Sequence, residues 1–303
     1  MLIHRHHSSW LEELEQLIGM LRTALEGHTV YALLDGAFND DCYRLLTRHH
    51  TTLAWRSLFN LSSEPDTELA AALPTLLALP APSAQAWRAV LACTDGWPML
   101  SLIATAETFD ALARRLSPWS VVDADGQYFV LRYADTRRLP DVVGVLQPPQ
   151  HGALFGPAAA WMYWDRSAQW QALPLPACSA PPLTDVRLDG AQCAALIGAS
   201  ESDEIFASMM QKDPTLAASL APDAAYAAIA QSLAKADQYR IAGYDRQSWC
   251  RLRLGYPTLE SNPRCAALLG ALHIGPATYP DVSSQLEALA RLSSSPHEGV
   301  LQR

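Results

Sequence analysis

The sequence predicts an α/β (α+β) N-terminal lobe built on a mixed β-sheet, followed by an all-α C-terminal lobe. Three observations predict it. Apolar residues at helical spacing alternate with short β-rich runs as far as Leu175; a proline-rich segment then interrupts the chain; beyond it the composition turns to Ala, Leu and Ser at helical spacing. A chain of 303 residues is more than one core usually takes. The expected division is a lobe over 1–172, a linker over 173–184 and a helical lobe over 185–303.

Each element has its own warrant. Trp10, Leu14, Leu17, Ile18, Leu21 and Leu25 line one side of a helix over 8–26, with Ser8 and Ser9 as caps and Gly27 as its stop. TVYALLD (29–35) reads as a buried strand. A helix over 40–49 follows, with strands near 53–58 and 75–79, a helix over 84–93, a strand over 99–104 and a helix over 107–116. Residues 119–135 read as two strands joined by an Asp125-Gly126 turn, the strongest hairpin signal in the chain. A helix is expected over 135–146, the loop QPPQHG after it, and a second hairpin from the aromatic runs 158–165 and 170–175. In the C-terminal lobe Ser200 with Asp203, and Asn262 before Pro263, mark helix starts, and the tail from Ser293 is expected to fray.

Composition excludes several classes. Half of the residues are hydrophobic and 17% are charged, which suits a globular protein and not a disordered one. Thirty-one acidic against 22 basic side chains give a net charge of −9. Nucleic acid and anionic membrane are therefore unsuited as partners, since each needs clustered Lys and Arg. The N-terminus lacks the apolar run of a secretory signal, and no 18-residue apolar stretch occurs. The six cysteines show no CxxC pair and read as reduced core residues, so a cytoplasmic protein is expected.

The search for chemistry yields no site of its own. The 15 glycines are scattered, without a phosphate loop, dinucleotide fingerprint or nucleophile elbow. His4, His6, His7, His49 and His50 read as solvated side chains, and neither a metal nor a cofactor is expected. Asp123-Ala124-Asp125 has the form of a cation-binding tripeptide, but its place before Gly126 gives it a turn role. Asp35, at the end of a buried strand, has a position common among catalytic acids and equally suited to a cap or an ion pair. A metal-dependent hydrolase or transferase using Asp35, Asp123 and Asp125 is the alternative reading. Trp161 and Tyr163 share one face of a strand and Met162 and Trp164 the other. Both faces thus carry aromatics, which leaves one to lie under the helical lobe or to bind a partner.

An ordered series of blocks carries a likeness: YALLDGA (31–37), LPTLLAL (73–79), DGWPMLSL (95–102), FDALARRL (109–116), DGQYFVLRYADTRRL (125–139) and FGPAAAWMYW (155–164). Over roughly 30 to 165 the chain resembles domain-of-unknown-function family 4123, the effector adaptors and chaperones of bacterial type VI secretion systems. That family usually shows Phe-Arg-Phe/Tyr-x-Asp-Pro where this chain has Leu131-Arg132-Tyr133-Ala134-Asp135-Thr136. The resemblance implies a non-enzymatic protein that binds one cognate toxic effector and loads it onto the spike protein VgrG. It also marks Asp35, Arg132 and Asp135, read as a structural motif in which the guanidinium pins strand ends through carboxylates. Partner-contact candidates are Trp161, Tyr163, Trp164 and Trp170, with Met209, Met210 and Tyr226 on helix faces of the second lobe.

Overall fold

Strand β1 (Thr29–Asp35) is buried from its second residue to its last and organises everything before residue 200. Seven residues rich in Val, Leu and Tyr, with no charge before Asp35, suit a strand covered on both faces. In a computed structural model that describes residues 2–49, 51–59, 74–79, 85–215, 221–275 and 277–294, β1 lies between β3 (Pro74–Ala78) and β4 (Leu100–Thr105), antiparallel to both. Strand β2 (Trp55–Ser57) extends the β3 side, and β7 (Ala158–Trp164) with β8 (Trp170–Ala172) extends the β4 side. The order is β2-β3-β1-β4-β7-β8, antiparallel throughout. The parallel pairing that makes the fold mixed occurs in a smaller sheet of β6 (Gln127–Val130), β5 (Val121–Ala124) and β9 (Arg187–Leu188), where β5 is antiparallel to β6 and parallel to β9.

The alternation expected for the aromatic strand holds, and both faces are covered from within residues 1–200. Tyr31, Leu33, Ile103 and Trp161 point to one core, packed by α4 (Phe109–Leu116), α5 (Leu139–Val145) and α6 (Pro148–Phe155). Val30, Ala32, Leu34, Leu102 and Trp164 point to the other, packed by α1 (Trp10–Ala24), α2 (Asp40–Arg48) and α3 (Gln85–Ala92). Helix α1 supplies Trp10, Leu14 and Ile18 to the second one. His6 is likewise buried, against the expectation of a solvated side chain. Its ring lies between Trp10 and Trp164, with centroids 4.3 and 4.6 Å away, and its Nδ1 accepts the Trp164 indole N–H. Burial lowers its pKa to about 4, which keeps the accepting nitrogen unprotonated.

Local signals account for three departures from the expected elements. Strand β6 ends at Val130, so Arg132 and Asp135 lie in a turn and not on a strand; the Asp135 carbonyl accepts the N–H groups of Arg138 and Leu139 at 2.9 Å and leads into α5. The sequence QPPQHG is no loop but the first turns of α6, because prolines are favoured where no amide donor is needed and Gln147 and Gln150 cap it reciprocally. Ser200 and Asp203 start no helix. They lie inside α7 (Gly190–Lys212), which begins at a capping box in which Asp189 and Gln192 exchange backbone-to-side-chain bonds of 3.0 and 2.8 Å.

The chain divides into compact units of residues 1–200 and 201–303, a boundary that falls within α7. Segment 173–184 lies in the first unit: Leu173 is buried, its N–H donates to Trp161 O, and Ala180 N–H donates to Gly152 O. The second unit holds the end of α7 with α8 (Pro222–Gln238), α9 (Asp245–Gly255), α10 (Pro263–Ile274) and α11 (Tyr279–Ser294). Asn262 caps α10 by accepting Arg264 N–H at 3.0 Å, as its place before Pro263 predicts. Trp249 centres this unit, donating from Nε1 to Ser232 O at 2.8 Å between the rings of Tyr239 and Tyr279. Of the tail expected to fray, residues 295–303 lie outside the described residues.

Candidate functional site

Three of the sequence blocks meet at one end of the large sheet. Strand β1 delivers Asp35, whose Oδ1 accepts Ala37 N–H at 3.1 Å and so turns the chain through Gly36–Phe38. Strand β4 begins just after Trp97 and Pro98, and the two approaches are tied where Asp35 N–H donates to Met99 O at 3.0 Å. The turn 131–138 arrives from β6 and is fastened by Thr136 N–H to Pro98 O at 2.9 Å.

Four charges fill the junction. Arg132 donates from Nε and Nη2 to Asp35 Oδ2 at 3.1 and 2.9 Å, and its Nη2 lies 3.8 Å from Asp135 Oδ2. Arg137 grips Asp135 with both ends of its fork, Nε to Oδ1 at 3.1 Å and Nη2 to Oδ2 at 2.8 Å, while its backbone N–H adds a 3.0 Å bond to Oδ1. Both carboxylates are buried, Asp35 at 2% exposure. Removal from water pushes the Asp35 carboxyl above its usual range against the opposing pull of Arg132. Phe38 stacks on Trp97 at 6.2 Å, and the guanidinium carbons of Arg132 and Arg137 sit 4.8 and 5.3 Å from the Phe38 ring centre. The Arg132 side chain keeps 40% of its surface in water.

Chemically the cluster is a neutralised knot. Each carboxylate is engaged by a guanidinium, and the parts turned outward are one face of Arg132 and the Phe38–Trp97 pair. Sequence reasoning reached Asp35, Arg132 and Asp135. It missed Arg137, Phe38 and Trp97, whose signals were the Asp-x-Arg spacing, the aromatic directly after YALLDGA and the one inside DGWPMLSL. A second buried ion pair lies toward the opposite end of the large sheet, where β4 ends at Thr105 opposite Thr29 and Ala158: Arg115, on α4, donates to Glu107 and, from Nη1, to the carbonyls of Ala153 and Ala180 at 2.9 Å.

The remaining candidates lie elsewhere. Asp123 and Asp125 form the hairpin turn: Asp123 Oδ1 accepts Gly126 N–H at 2.7 Å, and Asp125 and Gly126 take φ of 51° and 82°. Asp35 belongs to the Arg132 knot, and among the described residues no group of three or more His, Cys, Asp or Glu is placed to hold a metal ion. Trp161 and Trp164 are 1% exposed and serve the two cores, Trp161 with a bond from Nε1 to Ser101 Oγ. Tyr163 and Trp170 are half-buried; Met209 is buried in the second unit, with Met210 and Tyr226 half-buried there. No described helix is long and apolar enough to cross a membrane.

Fold and knot together define an α/β domain on an antiparallel sheet whose strand ends are bound by paired carboxylates and guanidiniums. Residues 30–153 match the family model described as a domain of unknown function, DUF4123, a span that includes every residue of the knot, Arg115 and the Asp123–Gly126 turn. No curated protein and no solved structure matches the chain.

Proposed function

We propose that this chain is a non-enzymatic adaptor and chaperone of a type VI secretion system, which binds one cognate effector toxin in the cytoplasm and loads it onto the VgrG spike. One observation carries the reading. The blocks that carry the resemblance to these adaptors are separated by up to a hundred residues, yet LLDGA, DGWPM and LRYADTRR converge on the Asp35–Arg132–Asp135–Arg137 knot, inside the span that matches DUF4123. The acidic net charge of −9 suits protein partners better than polyanions.

The test is co-purification. The full chain is expressed with the effector and VgrG proteins encoded beside it, and a stable complex with the effector is expected. Effector recovered from cells should fall when the adaptor is omitted, since a partner that binds the folded effector stabilises it. Soluble effector and VgrG that both fail to associate with the chain overturn the proposal.

A further inference from the structure

Two of the six cysteines meet where one helix begins and another ends. Cys42 lies in the first turn of α2, whose cap Asn39 accepts Asp41 N–H through Oδ1 and donates through Nδ2 to Cys93 O at 2.8 Å. Cys93 directly follows the last residue of α3. Near the end of that helix Val90 O receives both cysteines, the backbone N–H of Cys93 at 3.1 Å and the thiol of Cys42 at 3.6 Å. The Cys93 thiol donates to the adjacent carbonyl, Ala89 O, at 3.6 Å. Both sulfurs therefore lie against the same turn of α3, as free thiols.

The two thiols are unlike. Cys42 is 2% exposed, and its hydrogen bond with Cys93, together with burial, raises its pKa. Cys93 is half-buried, and the same hydrogen bond holds its pKa below the ordinary thiol value, with Arg44 acting in the same direction against burial and Asp41. A reachable sulfur with thiolate character beside a buried, protonated one is the arrangement of an attacking cysteine and a resolving one. Asp40 and Asp41, exposed in the first turn of α2, set negative charge beside the pair. They disfavour an anionic oxidant, such as a glutathione-type disulfide, and leave a small uncharged one favoured.

We propose that Cys42 and Cys93 form a reversible disulfide under hydrogen peroxide, which staples the start of α2 to the end of α3. The Cys93 thiolate attacks one peroxide oxygen, the O–O bond breaks, and the departing hydroxide takes up a proton and leaves as water. Cys42 then gives up its proton and attacks the sulfur of the sulfenic acid so formed, which makes the S–S bond and releases a second water. Two thiols are oxidised and one peroxide is reduced. The bond braces the outward aromatic pair of the knot from both sides. Phe38 directly precedes the cap Asn39, and successive turn bonds, Thr94 N–H to Leu91 O and Trp97 N–H to Thr94 O at 2.9 Å each, run from Cys93 to Trp97. None of this depends on the adaptor reading.

The experiment treats the full chain with stoichiometric hydrogen peroxide, alkylates the remaining thiols and maps tryptic peptides without reductant. A peptide pair joining Cys42 to Cys93 is expected, with slower amide exchange over 36–39 and 93–97, and dithiothreitol should return both thiols. Cys42→Ser should instead accumulate a sulfenic acid at Cys93, trapped by dimedone, and Cys93→Ser should leave Cys42 a free thiol. Cys178→Ser, which removes an exposed thiol, should form the Cys42–Cys93 bond as the wild type does. The wild-type map stands whether or not Cys42→Ser folds. Peroxide-treated wild type in which both thiols are still alkylated overturns the proposal, as does Cys93 joined to Cys178 or carried to a sulfonic acid while Cys42 stays free. A joined pair with unchanged exchange over both stretches overturns the bracing of Phe38 and Trp97.

Discussion

Removing the Arg132 guanidinium leaves Asp35 buried without its charged partner, so Arg132→Ala is expected to destabilise the first unit by about 1–3 kcal/mol, the cost of an unsatisfied buried group. The partial exposure of Arg132 argues for the lower part of that range. The sign of the pH dependence follows from the Asp35 carboxyl. Burial already raises its folded pKa, and losing Arg132 raises it further, so folding favours the protonated acid. The variant's deficit should therefore be small below the unfolded carboxylate pKa of about 4 and grow as pH rises through the folded value. Melting temperatures of wild type and variant from pH 4 to 8 check this; a deficit that shrinks toward neutral pH contradicts it. Arg132→Ala with unchanged melting at every pH and lost partner capture would place the residue at an interface instead.

At the scale of elements, Arg115 and Gly156 act as one device. Gly156 holds φ at +53°, and a Cβ there would lie 2.3 Å from Arg115 Cζ, with the guanidinium wedged against the end of α6. Gly156→Ala is thus expected to cost about 2–4 kcal/mol through backbone strain and displacement of Arg115. Arg115→Ala should cost about 3–5 kcal/mol by leaving Glu107 unpaired in a nearly buried position. The two changes share a mechanism, so denaturant unfolding of the double variant should show much less than the sum. Sequence legibility divides along the same line. Helices with a continuous apolar face, such as α1, and strands such as β1 were readable from periodicity, as was the Asp125-Gly126 turn. The capping boxes at Gln147 and Asp189 were hidden because their Gln partners mimic loop composition. The exit of Arg132 from its strand was hidden because Leu131-Arg132-Tyr133 alternates like one. Likewise the knot was legible as three residues and not as six, since convergence of loops 35–38, 97–99 and 131–138 depends on the order β3-β1-β4, which no local pattern encodes.

Across the whole molecule, the sheet cores and the helical core draw on separate stretches of chain. The two clusters flanking the large sheet use residues from Ile3 to Leu196, whereas Trp249 packs among Tyr239, Tyr279 and the Ser232 carbonyl. Trp249→Ala removes the largest side chain of the second unit, at an expected cost of about 3–5 kcal/mol. Because no described member of the sheet clusters lies beyond Leu196, that loss should appear in hydrogen exchange as faster amides over the described residues 221–275 and 277–294, with β1, β4 and β7 keeping their protection. Helix α7 is the informative element. It is continuous from Gly190 to Lys212 while the unit boundary falls at Ser200, so protection should persist near its Asp189–Gln192 capping box and decline toward Met209. Uniform loss of protection along β1 and α7 alike would mean that the chain unfolds as one cooperative body, and that residues 1–200 depend on the helical unit for their stability.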